Sequence, residues 1–287
     1  MKRLLLACAP ALLALWLAGC AAPGDVAPVA PTAATAATTA TVTARDARAR
    51  ALLAPSGTLR VGVYRGSPSS LVVDKASGQR VGVAYELGTV LASQLAVPVE
   101  IVEFERLALV IDALRDAKID LTFTNATEAR ARDIDFTRPL LQLELGYLVP
   151  RGSALADVAA ADRSGLRIGV SSGSTSERVL TRSLRRSTIV PLPSLAEVRQ
   201  ALSERRIDAF ATNKGILNEL ADQVPGSRIL DGRWGLENMA LGIPKGRHAA
   251  MAYLEPFAQS MRNTGQLRAI VQRAGLRGTV EPGGSTP

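Results

Sequence analysis

The chain has 287 residues, enough for two domains of ordinary size, and is 47% hydrophobic but only 4% aromatic, so Leu, Val, Ile and Ala must fill its cores. Its formal charge of +8 is spread along the sequence, and no zinc-finger spacing, RNA-binding signature or basic tail points to nucleic acid. Two cysteines and one histidine are too few for a disulfide framework or a metal cluster.

In chain order, Lys2 and Arg3 come first, then an apolar run from Leu4 to Leu17 that Pro10 interrupts. The run is too short to span a bilayer comfortably and predicts a secretion signal over residues 1–19. Leu17-Ala18-Gly19-Cys20 resembles the bacterial lipobox, which implies that Cys20 is lipidated as the first residue of the mature protein. Cys8 then leaves with the signal and Cys20 carries lipid, so no thiol chemistry remains. The expected product is exported and lipid-anchored at a membrane, facing the periplasm or the cell exterior. Residues 20–56 are dominated by Ala, Thr and Pro without an apolar period and read as a disordered tether.

A folded part is expected from residue 57. It opens with a strand at 59–64 and a turn-rich stretch, RGSPSS (65–70), too polar for a core. Leu87, Val90, Leu91 and Leu95 fall on one helical face, VEIVEF (99–104) alternates as a strand, and Leu107, Val110, Ile111 and Leu114 repeat the helical stripe. This βαβα rhythm predicts a parallel sheet with helices on its faces. A long strand follows at 143–149, then a strand at 166–170, a helix at 195–205 opened by the capping box Ser194–Glu197, and a returning strand at 239–244. Helices near 248–262 and 265–274 close the chain, with His248 at a solvated helix start.

Two strings occur twice. LRVGV (59–63) is echoed by LRIGV (166–170), and IDLTFTN (119–125) by IDAFATN (207–213). The fold class is therefore α/β with two similarly built lobes. Residues 57–148 and 242–279 form the first lobe and 149–241 the second, with 280–287 a disordered tail. The chain crosses between lobes twice, which suits closure around a ligand. In open α/β sheets ligands sit at strand ends, so a cleft between Thr124-Asn125 and Thr212-Asn213 is the expected site.

Three loops supply candidate contacts. Thr124, Asn125, Thr127 and Arg130 lie where a strand end runs into a helix start, and Arg130 can grip a carboxylate with two parallel hydrogen bonds. Arg130 and Arg132 are alternatively surface charges paired with Asp133 or Asp135. Gly173, Ser174 and Thr175 make a hydroxyl-rich helix start with a capping box from Ser174 to Glu177. Asn213 closes the second lobe's strand and is followed by Lys214. No catalytic constellation stands out: there is no Gly-x-Ser-x-Gly elbow, and Glu86 and Glu144 read as solvated or hinge acids.

From about residue 57 to 276 the chain resembles the extracytoplasmic solute-binding proteins of the polar amino-acid type, family 3, which serve ABC importers. The resemblance rests on LRVGV, ALRDAKID, Thr127 and Arg130 of TEAR, Asp135-Phe136-Thr137 and Pro139 of DIDFTRP, LRIGVSSGST and ALSERRIDAF. It implies a two-lobed periplasmic-binding-protein-like clamp in which Arg130, helped by Gly173, Ser174 and Thr175 and lined by Asn125, holds a ligand carboxylate. The Asp that usually meets the ligand's ammonium is replaced by Asn213, and a lid aromatic aligns near Ser67, with Tyr64 close by. The expected ligand is a small polar, carboxylate-bearing molecule, an amino acid or related organic acid, without a mandatory ammonium. Expected partners are that ligand, an ABC permease, and the membrane through the lipid anchor. The protein is expected to be a monomer that uses no nucleic acid, cofactor or metal. A dehydratase-like enzyme acting on a cyclic carboxylate and a sensory or accessory subunit are the alternatives.

Overall fold

The computed structural model describes residues 46–281 except Lys75. The secretion signal, Cys8, Cys20, the tether as far as residue 45 and the tail from residue 282 lie outside the described residues. The folded part starts earlier than residue 57. Residues 46–53 form a helix, α1, that buries Ala49 and Leu53 in the first lobe's core; Leu53 is only 1% exposed. Its apolar positions, Ala49, Leu52 and Leu53, share one helical face, a stripe too short to stand out beside the Ala-rich tether.

The first lobe continues with β1 (Leu59–Tyr64), the short β2 (Val72–Val73) and β3 (Arg80–Val81), α2 (Val83–Gln94), β4 (Val99–Phe104) and α3 (Leu107–Arg115). Then come β5 (Thr122–Asn125), α4 (Glu128–Ala131), β6 (Ile134–Phe136) and β7 (Leu141–Val149). β1 and β4 pair in parallel over six residues, from Leu59 opposite Val99 to Tyr64 opposite Phe104. α2 buries Leu87 and Leu91 against β1, and Gly88 permits the close approach: a Cβ there would lie 2.6 Å from Val61 Cγ2. The RGSPSS turn is not solvated as its polarity suggested. Ser67, Ser69 and Ser70 are buried; Ser67 and Ser69 hydrogen-bond each other, and Ser70 Oγ accepts from the Tyr64 amide at 2.8 Å. Mutual hydrogen bonding is what makes this burial tolerable.

The second lobe holds β8 (Arg167–Ser171), α5 (Thr175–Ser183), β9 (Thr188–Leu192), α6 (Leu195–Ser203), β10 (Ala209–Asn213), α7 (Lys214–Ala221) and β11 (Arg228–Ile229). β12 (Gly235–Pro244) returns to the first lobe, where α8 (Met251–Asn263), α9 (Gln266–Arg273) and β13 (Thr279–Val280) complete the chain. Alternation along β10 sends Phe210 into one second-lobe core and Ala209 and Ala211 into another on the opposite face.

β7 and β12 are the two crossings. They pair antiparallel from Gly235 opposite Leu145 to Met239 opposite Leu141, inside a sheet ordered β5-β12-β7-β10-β8-β9. β7 contributes Leu141 and Leu143 to the first lobe's core and Tyr147 and Leu148 to second-lobe cores, so it changes lobe before the boundary expected after residue 148. β12 already serves the first lobe at Met239, three residues before the expected 242. Extended pairing carries the crossings as a continuous ribbon, so composition gave no linker signal. Val280 pairs with Gln142, so the ordered chain reaches beyond residue 279.

Candidate functional site

Both Thr-Asn strand ends arrive beside the hinge ribbon. β5 pairs with β12, placing Asn125 opposite Met239, and β10 pairs with β7, placing Asn213 opposite Leu145. Close to both, β12 carries Glu237, a carboxylate only 8% exposed. Asn213 Nδ2 donates to Glu237 Oε2 at 3.0 Å, while Asn213 Oδ1 accepts from the Ile216 amide and caps α7. Asn125 Oδ1 accepts from the Asn238 amide at 3.0 Å. Burial pushes the Glu237 carboxyl above the usual carboxylate range, against the hydrogen bond from Asn213, the charge of Arg130 and the side chain of Asn125.

A pocket between the two lobes has Glu237 in its wall. The first lobe contributes Tyr64, Arg106 and Leu107, and the second contributes Ser174, Thr175 and Asn213. The lobes touch at its edge. Gly173, at φ +75°, lies so close to α3 that a Cβ would stand 2.7 Å from that of Ala108. Only glycine meets both the backbone angle and the contact.

Arg130 is buried, at 6% exposure, and does not itself line the cavity. It lies within electrostatic reach of two residues that do, Glu237 and Tyr64; burial pulls its guanidinium below the ordinary value, and the Glu237 charge opposes that. Nη1 donates to Thr124 Oγ1 at 3.1 Å and to the Asn125 carbonyl at 3.0 Å. Nε and Nη2 make no hydrogen bond among the described residues, which leaves one edge of the fork unused. The alternative of a surface arginine paired with Asp133 or Asp135 fails: Arg130 is buried, and Asp135 pairs with Lys245 instead.

The other candidates divide into scaffold and wall. Thr127 Oγ1 accepts from the Arg130 amide and caps α4, so its side chain is committed to the helix. Ser174 Oγ accepts from the Glu177 amide at 3.1 Å, and the Glu177 carboxylate accepts from the Gly173 amide, a capping arrangement that holds this loop in shape. Thr175 Oγ1 is buried without a hydrogen-bond partner among the described residues, and so is Arg106 Nε. Tyr64 is buried on the wall, with Ser67 and Ser69 beside its hydroxyl. Lys214 turns away to Glu144 on β7 at 2.7 Å, and Arg233 holds the same carboxylate at 2.9 Å. Glu86 pairs with Arg273.

Glu237 and Arg106 were not among the residues expected at the site. The cleft loops offered Asn, Thr and Ser rather than acids, and the returning strand was expected from Met239, whereas β12 starts at Gly235 and brings Glu237 with it. An acid in a strand whose other residues, Asn238 apart, carry no polar side chain was the available signal.

Residues 59–276 match the model of the bacterial extracellular solute-binding proteins, family 3. The chain belongs to this family. It is 22% identical over 165 residues to the ABC transporter glutamine-binding protein GlnH of Bacillus subtilis (strain 168), a match covering 57% of this chain and 60% of that protein. Among solved structures, the solute receptor for L-cysteine of Neisseria gonorrhoeae is 26% identical with a TM-score of 0.68, over 77% of this chain and 90% of that one. The ancestral amino acid-binding protein AncCDT-1, a precursor of cyclohexadienyl dehydratase, shares the fold at 24% identity and a TM-score of 0.67, over 76% of this chain and 96% of its own.

Proposed function

We propose that this family member is a lipid-anchored extracytoplasmic receptor that delivers a free α-amino acid to an ABC importer. The observation that carries the reading is the pairing of charges at the cleft. Arg130 offers an unused guanidinium edge, Glu237 offers a buried carboxylate, and the two form no ion pair with each other among the described residues. A ligand carboxylate completes Arg130, with the unpartnered Thr175 hydroxyl as a further donor. A ligand ammonium completes Glu237. This revises the expectation drawn from Asn213: the acid comes from the hinge strand, with Asn213 orienting it. The names of the relatives, which bind glutamine and L-cysteine, support an amino acid as the ligand class.

Calorimetric titration of an amino-acid panel and a carboxylic-acid panel tests this. Amino acids should bind, and Arg130→Ala should weaken them at least about tenfold to a hundredfold, since a charge-assisted hydrogen bond is worth about 1.5–3 kcal/mol. Arg132→Ala, on an exposed residue, should bind normally. Equal losses at both positions, or binding confined to acids without an amino group, would refute the reading. For the anchor, Cys20→Ser should leave the membrane fraction; unchanged membrane association would exclude lipidation.

Glu237 also favours a second reading. A carboxyl that burial pushes above the usual carboxylate range, near a carboxylate-binding arginine, suits a general acid, so a dehydratase acting on a cyclic carboxylate is the competing function. Turnover of a prephenate-like substrate, lost in Glu237→Gln, would favour it over transport.

A further inference from the structure

We infer that Arg106 reads a second anionic group on the ligand, which makes the preferred solute an acidic α-amino acid. The inference rests on the amino-acid reading above and concerns the part of the cavity wall away from Glu237. Arg106 stands at the start of α3, on the loop leaving β4, and lines the cavity together with Ser171 and Ser194 of the second lobe. Its Nε is buried and has no hydrogen-bond partner among the described residues. It enters no ion pair there either. The adjacent Glu105 also lines the cavity but is exposed at its rim and forms no ion pair with Arg106.

Buried polar groups in folded proteins are nearly all hydrogen-bonded, so an orphaned guanidinium nitrogen on a ligand cavity calls for an acceptor on the ligand. Because guanidinium stays charged and presents a planar fork, a carboxylate is the acceptor that satisfies both its charge and its shape. The contact between Gly173 and Ala108 brings the α3 start against the second-lobe loop. An anion held by Arg106 would therefore be enclosed when the lobes are together, where a neutral amide would leave the charge uncompensated and a cationic side chain would be repelled.

Titration of the full chain with L-glutamate, L-aspartate and their amides tests the assignment, with succinate and glutarate as controls lacking the amino group. One of the two acids should bind at least about tenfold tighter than its amide. Arg106→Gln should erase that preference by weakening the acid about tenfold or more while changing the amide only about twofold to threefold. Arg106→Lys, which keeps the charge, should retain part of it. An amide binding as tightly as its acid, or an acid-to-amide ratio unchanged in Arg106→Gln, would overturn the role of Arg106 and leave the amino-acid reading standing. Dicarboxylates that bind as tightly as amino acids and depend on Arg106 would uphold Arg106 and overturn the amino-acid reading. Absence of binding across the whole series would overturn both.

Discussion

Asn213 donates through Nδ2 to Oε2 of Glu237 at 3.0 Å, tying the end of the second lobe's β10 to the hinge strand β12. The bond explains how a chain lacking an acid at position 213 still presents one to the cleft. It also sets a pH dependence. Burial raises the Glu237 carboxyl above its unfolded value of about 4.3, so its contribution to folding is fully present below that value. That contribution is lost as pH rises through the folded-state pKa. Glu237→Gln should therefore raise the melting temperature of the ligand-free protein by a few degrees near pH 7, at about 2–4 °C per kcal/mol.

The same carboxyl must ionise to meet a ligand ammonium. Binding should release a proton, and amino-acid affinity should climb as pH rises from the ordinary carboxylate range towards neutrality. Glu237→Gln should flatten that climb. Calorimetry in buffers of different ionisation enthalpy measures the proton directly, and an affinity independent of pH between 4.5 and about 7 would contradict the assignment of Glu237.

The duplication that the sequence displayed is structural at the level of single atoms. In the first lobe the Arg60 side chain grips Asp120 through Nε at 2.8 Å and Nη2 at 2.9 Å, and Nη2 also reaches the Ala117 carbonyl. In the second lobe Arg167 grips Asp208 through Nε and Nη2 at 3.0 Å each, and Nη2 reaches the Arg205 carbonyl. The echoed strings were legible because each encodes the same clasp between a strand start and a helix end. Glu237 was hidden for the converse reason: it lies on a hinge strand outside both echoed strings, and its neighbours carry no motif. Arg106 was hidden because a side chain at a helix start shows its direction only once the lobes are placed together. The α1 helix escaped notice because so few apolar positions mark its buried face.

The two clasps should differ in cost. Asp120 is fully buried and also receives Arg247 at 2.8 Å, whereas the Asp208 side chain is 31% exposed. Burial works to raise the Asp120 carboxyl, but Arg60 and Arg247 outweigh it and hold the group below its usual range. Asp120→Asn should cost about 3–5 kcal/mol, because it strands partly buried guanidinium charge. Asp208→Asn should cost about 1 kcal/mol. Denaturant unfolding checks both, and equal losses would contradict the ranking.

Leu53 tests where the folded unit begins. Its side chain is nearly fully buried in the first lobe's core, so Leu53→Ala should destabilise by about 2–5 kcal/mol. A loss under about 0.5 kcal/mol, typical of surface positions, would return α1 to the tether.

Removing one ligand charge at a time tests whether Arg130 and Glu237 together hold a zwitterion. Calorimetry would compare the best-binding amino acid with its deaminated acid and its decarboxylated amine. Each analogue should lose at least about a hundredfold in affinity, since each leaves one buried ionisable group of the protein without its partner. A deaminated acid that bound as tightly as the amino acid would contradict this.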